Sequence, residues 1–145
     1  MKNNAITMFL ALGTACVSGT ALNAQSTDLT AKVPFAFQVG GQVFAAGNYL
    51  VGEAAGYSHA GVPLLRNATT GQSVFIAGAD HSLAQAANPK LVFHCYAGKT
   101  CFLAEIRPPH EVGSHVSMSK AEKEIAQADQ PAEVATISID VRHAD

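Results

Sequence analysis

The chain of 145 residues contains no tryptophan, and only 14% of its residues are charged and 7% aromatic. Its nine Lys and Arg residues are scattered, with no basic cluster that could neutralise nucleic-acid phosphates or anionic lipids. We therefore expect no nucleic-acid partner and no polybasic membrane attachment. Apolar residues make up 48% of the chain, which excludes an intrinsically disordered composition. The length leaves room for one domain.

Motifs of catalysis and cofactor binding are also missing. The chain has no phosphate-binding loop and no glycine fingerprint between a strand and a helix. Gly71-Gln72-Ser73-Val74-Phe75 lacks the closing glycine of a nucleophile elbow. We therefore predict no catalytic residue, no cofactor and no cofactor-binding residue.

Six histidines raise the question of a metal site, yet none forms the close local pair that is typical of zinc ligands. The nearest approach is His110-Glu111-Val112-Gly113-Ser114-His115, with histidines five apart, whereas the HExxH zinc motif needs them four apart on a helix. Pro109 and Gly113 indicate a loop here, so we predict no metal ligand. His94 is expected to pack or to hydrogen-bond across a hairpin.

The first 24 residues predict a secretory signal peptide. Lys2 precedes an uncharged stretch from Ala5 to Leu22, and small residues follow it. The predicted cleavage site lies after Ala24, and cleavage after Ala21 is the alternative. An uncleaved membrane anchor is disfavoured by the hydroxyls and glycines of the stretch. A lipoprotein modified at Cys16 is disfavoured because no leucine stands three residues before that cysteine.

The mature chain, residues 25–145, is predicted to be a single β-rich domain. Without Lys2 it carries eight basic against eleven acidic residues, a net charge of −3. We expect it in the periplasm or outside the cell, as a monomer with no membrane span after leader cleavage.

Period-two alternation of apolar and polar residues predicts half-buried strands. In Lys32 to Val39 every odd position is apolar, and Gly40-Gly41 then permits a two-residue hairpin turn. Strands are predicted at 32–39, 42–51 with a kink, 62–66, 73–77, 90–96, 101–106 and 135–142. Residues 80–88 are predicted to be loop. Asn67-Ala68-Thr69 matches the N-glycosylation triplet, but hydrogen bonding within a turn explains Asn67 equally well.

One helix is indicated near the C-terminus. Ser119-Lys120-Ala121-Glu122 is a capping-box pattern, and Ala121, Ile125 and Ala128 form an apolar stripe at helical spacing before Pro131 ends the helix. The predicted fold class is all-β: an antiparallel β-sandwich or small open barrel of six to seven strands with one short α-helix.

Cys95 and Cys101 lie on opposite arms of the predicted 90–106 hairpin. If residues 97–99 form the loop, the two cysteines face each other with Cβ atoms about 4.5–5.5 Å apart, which suits a disulfide in an oxidising compartment. A reactive dithiol and unpaired thiols are the alternatives. A redox site is disfavoured because two intervening residues and a helix start are absent.

Three pieces of the chain resemble a family of small exported bacterial proteins of uncharacterised function. The pieces are KLVFHCYAGKTCFLAEI, VPFAFQVGGQVFAAGNYLV and Ser119 to Glu124, similar to family patterns of the form KLVFHRYG…YFL and VPFxFxVG…PAGxYxV. The resemblance implies a signal peptide and a compact β-rich domain and supplies no active-site residue. The chain departs from the pattern at Ala45, Cys95 and Cys101, where proline, arginine and an aromatic residue are usual.

The leading functional hypothesis is a non-catalytic secreted or periplasmic structural or binding domain, and we expect the protein not to be an enzyme. The first alternative is a secreted hydrolase whose site assembles only in three dimensions. It requires a pocket in which His59, His81 or His94 meets a carboxylate such as Asp80 or Glu105. The second alternative is a carbohydrate- or lipid-binding module.

Overall fold

The computed structural model describes residues 28–53, 61–77, 79–97, 100–128 and 132–142, which form eleven strands and one short helix. The strands are β1 (Asp28–Val33), β2 (Phe37–Val39), β3 (Gln42–Phe44), β4 (Gly47–Glu53), β5 (Pro63–Asn67), β6 (Ser73–Phe75), β7 (Asp80–Leu83), β8 (Lys90–Tyr96), β9 (Thr100–Arg107), β10 (Gly113–His115) and β11 (Glu133–Arg142). The helix is α1 (Lys120–Gln127).

Nine of the strands form a continuous hydrogen-bonded path in the order β3-β2-β9-β8-β11-β1-β4-β5-β6, curled into a half-barrel. β10 pairs with β9 and with β7 beside this path. The two edges of the half-barrel meet where the Gln72 side-chain amide, just before β6, donates to the Val43 carbonyl of β3 over 3.1 Å. The prediction of a mostly β protein with one helix is confirmed, whereas six to seven strands is too few.

The strand number was underestimated because the chain bends inside alternating segments and pairs within segments that resemble loops. Residues 32–39 divide into the end of β1 and the separate strand β2, with Pro34, which cannot donate to a ladder, at the break. The returning segment divides at Ala45-Ala46 into β3 and β4. β7 lies in the segment 80–88 that was predicted to be loop, and β10 lies within 110–115.

The sheet contains one parallel pair of strands, whereas its other strand pairs are antiparallel as predicted. β2 runs parallel to β9, with Phe37 beside Cys101. The bend after β1 explains this pairing, because β1 and β2 occupy different parts of the strand order and the chain must cross the half-barrel between them. β2 therefore lies on the side of β9 that faces away from β8, and it runs in the same direction as β9.

The predicted glycine hairpin turn and the predicted hydrogen-bonded turn at Asn67 are both confirmed. Gly40 and Gly41 have φ angles of 58° and 77°, the left-handed conformation that a two-residue hairpin turn requires. Asn67 is only 3% exposed, and its side-chain oxygen accepts hydrogen bonds from the backbone amides of Thr69 and Thr70, each at 2.9 Å. The buried, hydrogen-bonded Asn67 side chain is explained by turn formation rather than by a role as a glycan acceptor.

Four aromatic side chains fill one end of the half-barrel interior, which we call the filled end: Phe37, Phe44, Tyr49 and Phe93. Their ring centroids are 5.1–6.2 Å apart in mostly edge-to-face contacts. The Tyr49 hydroxyl donates to the Ala45 carbonyl, so the only polar atom of the four side chains has a partner. The filled end therefore combines dense packing with satisfied polar groups.

Helix α1 begins at the predicted cap but does not bury the predicted stripe. The Ser119 hydroxyl accepts a hydrogen bond from the Glu122 backbone amide at 3.1 Å, as in a capping box. Ala121 and Ala128 are exposed, whereas Glu122 is 3% exposed and faces the sheet. The stripe prediction is wrong because the sheet surface under the helix offers hydrogen-bonding partners to the Glu122 carboxylate.

Candidate functional site

A cavity of about 210 Å³, which we call the open-end cavity, lies farther along β4 and β9 from the filled end. On β4, Tyr49 points into the filled end and Val51, two residues later, lines the open-end cavity. On β9, Cys101 lies beside the filled end and Ile106 lines the cavity. The full lining is Leu29, Val51, Gly52, Gly61, Pro63, His81, Ile106, Pro108, Glu111, Val112 and Ser114.

One wall of the cavity is built by three adjacent strands of the half-barrel. Leu29 of β1 faces Val51 of β4 directly across the ladder, and Pro63 begins the next strand, β5. These apolar side chains continue the alternation that places the interior residues of β1, β4 and β5 on one face of the sheet. They give the cavity a hydrocarbon wall.

The opposite wall depends on a close approach of three strands at Gly113. β10 pairs with β9 through Ser114 and Ile106, and with β7 through Gly113 and Leu83. A Cβ atom added at Gly113 would lie 3.0 Å from the Cβ of Leu83 and 3.2 Å from the Cγ of Arg107. A larger residue at position 113 would require the neighbouring strands to shift by a few tenths of an ångström, so glycine favours this close packing of β7, β9 and β10, which positions Ser114.

Ser114 and His81 form the polar element of the cavity. The Ser114 residue is 3% exposed, and its Oγ lies 2.9 Å from Nδ1 of the His81 ring on β7. Either atom donates, according to the tautomer of the ring. One hydrogen bond joins two groups that each carry further hydrogen-bonding capacity, so the pair retains capacity for a bound molecule.

The rim of the cavity carries Glu111 and Val112. Both residues are exposed, and Val112 keeps 49% of its accessible surface, which makes it one of the large exposed apolar residues of the described chain. The segment is neither a metal motif nor a complete loop: His110 has a φ of 60°, and Gly113 to His115 form β10. The loop prediction is therefore correct for residues 110–112 and wrong for residues 113–115.

A second polar cluster lies on the outer face of the sheet, under α1. Oε1 of Glu122 is 3.3 Å from Nδ1 of His94 and accepts a hydrogen bond from the Tyr96 hydroxyl at 3.4 Å. The Glu122 side chain is 4% exposed and that of His94 31%. Tyr96 also packs edge-on against Phe102, with ring centroids 5.9 Å apart. The cluster attaches the helix to β8.

Tyr96 has a raised pKa. Burial disfavours the phenolate, and the nearby Glu122 carboxylate raises the pKa further through its charge and through the hydrogen bond that it accepts. Tyr96 therefore serves as a neutral donor in this cluster. His94 packs across the hairpin as predicted, opposite Phe102 in the β8–β9 register.

The predicted hairpin register is confirmed in full at its cysteines. Tyr96 faces Thr100 and Cys95 faces Cys101, with Cα atoms of the cysteines 4.0 Å apart and their sulfur atoms at disulfide distance. Cys101 is 6% exposed and belongs to the core around the filled end. The pair therefore joins the two arms of the hairpin that carries His94.

The remaining histidines do not converge on a common site in the described part of the chain. His59 and His143 lie outside the described residues. Nδ1 of His115 lies 3.6 Å from Glu105, whose other oxygen is paired with Arg107 at 2.7 Å. Among residues 28–53, 61–77, 79–97, 100–128 and 132–142, no group of three His, Cys, Asp or Glu side chains could hold a metal ion.

Sequence analysis named His81 as a candidate site residue but missed Ser114, the residue that it meets. Ser114 and His81 are 33 residues apart and meet only because β10 pairs with β7. The one local signal was Gly113, whose absent side chain permits that pairing and which sequence analysis took as evidence for a loop. Glu122 was interpreted as a capping residue because the sheet beneath it could not be anticipated.

No protein-family model, curated protein or solved structure matches the chain. The family resemblance of the three sequence pieces therefore stays a prediction. Among the described residues, no helix has the length and apolar character needed to cross a membrane.

Proposed function

We propose that this chain is an exported, non-catalytic β domain that binds a small and mostly apolar molecule in the open-end cavity. The observation that carries the proposal is the cavity itself: a partly open space of about 210 Å³, with exposed residues such as His81 and Val112 in its lining, beside a densely packed interior. Close packing is the rule in protein interiors. A space of this size at the end of a barrel is a common location for a ligand.

The volume limits the size of the ligand. A cavity of about 150 Å³ lined by aliphatic and aromatic side chains holds benzene, whereas pockets for drug-sized ligands begin at about 300 Å³. The open-end cavity, at about 210 Å³, thus suits a molecule of roughly six to nine non-hydrogen atoms. This size disfavours a complete lipid or an oligosaccharide as the enclosed ligand and narrows the alternative of a carbohydrate- or lipid-binding module.

Hydrolysis is the second candidate, and the 2.9 Å separation of Ser114 Oγ and His81 Nδ1 is the observation that favours it. Two features rank it below binding. Ser114 Oγ bonds to Nδ1 of His81, the ring nitrogen that a carboxylate orients in a catalytic triad, where the serine instead bonds to Nε2. β10 is paired on both sides, with β9 and β7, so the backbone around Ser114 takes part in ladders instead of forming an oxyanion hole.

Export is supported by the leader-like N-terminus and by the disulfide distance between Cys95 and Cys101. Disulfides persist in oxidising compartments and are rare in the cytosol. A domain with these features would meet its ligand in the periplasm or outside the cell. The N-terminal residue of protein recovered from the culture or periplasm tests this part of the proposal.

Benzene titration of the full chain, expressed for export and purified, tests the binding proposal. The methyl NMR signals of Val51 and Ile106 should shift in a saturable manner, since both residues line the cavity. Val112→Trp should abolish these shifts by filling the rim. Val134→Trp is the matched control, because Val134 is also an exposed valine (61%, against 49% for Val112) on β11 and is not among the residues that line the cavity.

Two outcomes would contradict the proposal. The first is the absence of saturable shifts at Val51 and Ile106 up to the solubility limit of benzene. The second is an equal loss of the shifts in Val112→Trp and Val134→Trp. For the hydrolase candidate, turnover of a short-chain ester that disappears in Ser114→Ala would reverse the ranking of the two functions.

A further inference from the structure

We infer that the open-end cavity selects a neutral, hydroxyl-bearing aliphatic molecule, whose hydroxyl group hydrogen-bonds to the Ser114–His81 pair. This inference rests on the proposed function and adds the chemical class of the ligand. It follows from the hydrogen-bonding capacity of the two residues and from the charge and polarity of the surrounding lining.

The Ser114–His81 pair has more hydrogen-bonding groups than its own hydrogen bond uses. A serine hydroxyl has one donor and two acceptor lone pairs, and a neutral imidazole has one donor and one acceptor. The 2.9 Å bond between Ser114 Oγ and His81 Nδ1 uses one donor and one acceptor. One donor and at least one hydroxyl lone pair remain, whichever tautomer the ring adopts.

A hydroxyl group on the ligand matches this retained capacity. A hydroxyl group both donates and accepts, so it complements a site that retains one donor and one acceptor. An ether, a carbonyl or a carboxylate can only accept hydrogen bonds, so each would leave the retained acceptor without a partner. Ser114 is 3% exposed and its Oγ is already paired with His81, so a ligand hydroxyl gains one more hydrogen bond here than a group that can only accept.

The lining of the cavity disfavours a charged ligand group. The lining includes six apolar residues, Leu29, Val51, Pro63, Ile106, Pro108 and Val112. A charged group loses its hydration against such walls without full compensation. A carboxylate would in addition meet the Glu111 carboxylate at the rim, which repels it. A neutral head group avoids both penalties.

The test compares three ligands of matched size on the full chain: 1-hexanol, its isomer pentyl methyl ether, and hexanoate. Dissociation constants come from the Val51 and Ile106 methyl shifts. 1-Hexanol should bind about 3- to 10-fold more tightly than the ether, the range that one additional hydrogen bond gives. Hexanoate should bind most weakly, and Glu111→Gln should improve hexanoate binding while leaving 1-hexanol binding unchanged.

Ser114→Ala is the decisive variant. It should remove the preference for 1-hexanol over the ether, because the ligand hydroxyl loses its partner while both ligands keep the same apolar lining. The inference is overturned if the wild-type chain binds the ether or hexanoate as tightly as 1-hexanol, or if Ser114→Ala keeps the preference. If benzene binds and the preference is absent, the inference fails while the proposed function stands. If neither benzene nor the alcohol binds, the proposed function itself fails.

Discussion

The filled end and the open-end cavity meet on β4, yet they differ in whether side chains occupy the interior. At the filled end, Phe37, Phe44, Tyr49 and Phe93 occupy the interior, and each is at most 1% exposed. On the outer face of the sheet, Glu122 of α1 accepts a hydrogen bond from Tyr96 of β8. Tyr96 in turn packs against Phe102 of β9.

The open-end cavity receives smaller interior side chains, from β1, β4, β5 and β9. Val51 follows Tyr49 on the inner face of β4, and Gly52, Gly61 and Ser114 contribute little volume to the lining. Stability and the proposed binding therefore depend on different parts of the half-barrel. The large aromatic side chains hold the half-barrel together at one end, which permits an unfilled space at the other.

The sharpest way to break this comparison is to truncate one of the aromatic rings. Phe93→Ala removes a fully buried ring that contacts Phe35 and Phe37 at centroid distances of 5.2 and 5.1 Å. We expect a loss of about 3–5 kcal/mol in the free energy of unfolding in urea. Val112→Ala at the cavity rim should change it by less than about 0.5 kcal/mol. Similar losses in the two variants would show that the two ends do not differ in this way.

Removal of the disulfide should give the next largest loss of stability, and it should affect the filled end without affecting binding at the open-end cavity. Replacing Cys95 and Cys101 together by alanine should lower the free energy of unfolding by about 2 kcal/mol, the loop-closure value for so short a ring. Benzene binding should persist, because the cysteines are not among the residues that line the open-end cavity. Reductant should destabilise the wild-type chain and leave the double variant unchanged. An effect of reductant on the double variant would contradict this assignment.

The filled end could be predicted from the sequence to a large extent. Alternation placed Val33, Phe37 and Val39 on one face, and all three are buried in the core. The hairpin register of Cys95 and Cys101 followed from the loop length alone. Both signals are local, since a period of two residues and a short loop need no knowledge of distant partners.

The open end could not be predicted, because its features depend on contacts between distant segments. Ser114 meets His81 only through the β7–β10 pairing, and the segments that contain β7 and β10 carry no alternating pattern. The strand order, with β2 beside β9, is likewise a long-range property. Glycine at position 113 had two interpretations, a loop or a close strand approach, and only the fold distinguishes them.

Gly113 provides a test of the geometry at the open end. Gly113→Ala would place a Cβ atom 3.0 Å from Leu83, 3.2 Å from Arg107 and 3.3 Å from the Ile106 carbonyl oxygen. Because backbone and Cβ atoms must move, we expect a loss of about 1–3 kcal/mol in the free energy of unfolding. Gly52→Ala is the matched control, since its added Cβ meets no atom within 4 Å. It should change stability by no more than about 1 kcal/mol. Equal losses would contradict the proposed close approach of the three strands.

The smallest expected effect concerns the helix that covers the filled end and is seen at high pH. The pKa of Tyr96 is raised in the folded chain by burial, by the charge of Glu122 and by the hydrogen bond to it. The unfolded tyrosine ionises near pH 10. Above that pH the unfolded state releases a proton that the folded state retains, so the free energy of unfolding falls as pH rises toward the folded-state pKa.

Tyr96→Phe should therefore be less stable than the wild type at pH 7, where it lacks the hydrogen bond to Glu122, and this deficit should shrink between pH 9 and pH 11. The change is bounded by the ionisation of the unfolded tyrosine, less than about 1.5 kcal/mol at pH 11. Urea unfolding at several pH values measures it. Glu122→Gln keeps the phenol but removes the neighbouring charge, so it should give a pH dependence between those of the wild type and Tyr96→Phe. Parallel curves for all three chains would show that Tyr96 does not stay protonated beneath the helix, and that the coupling of α1 to the sheet is steric rather than electrostatic.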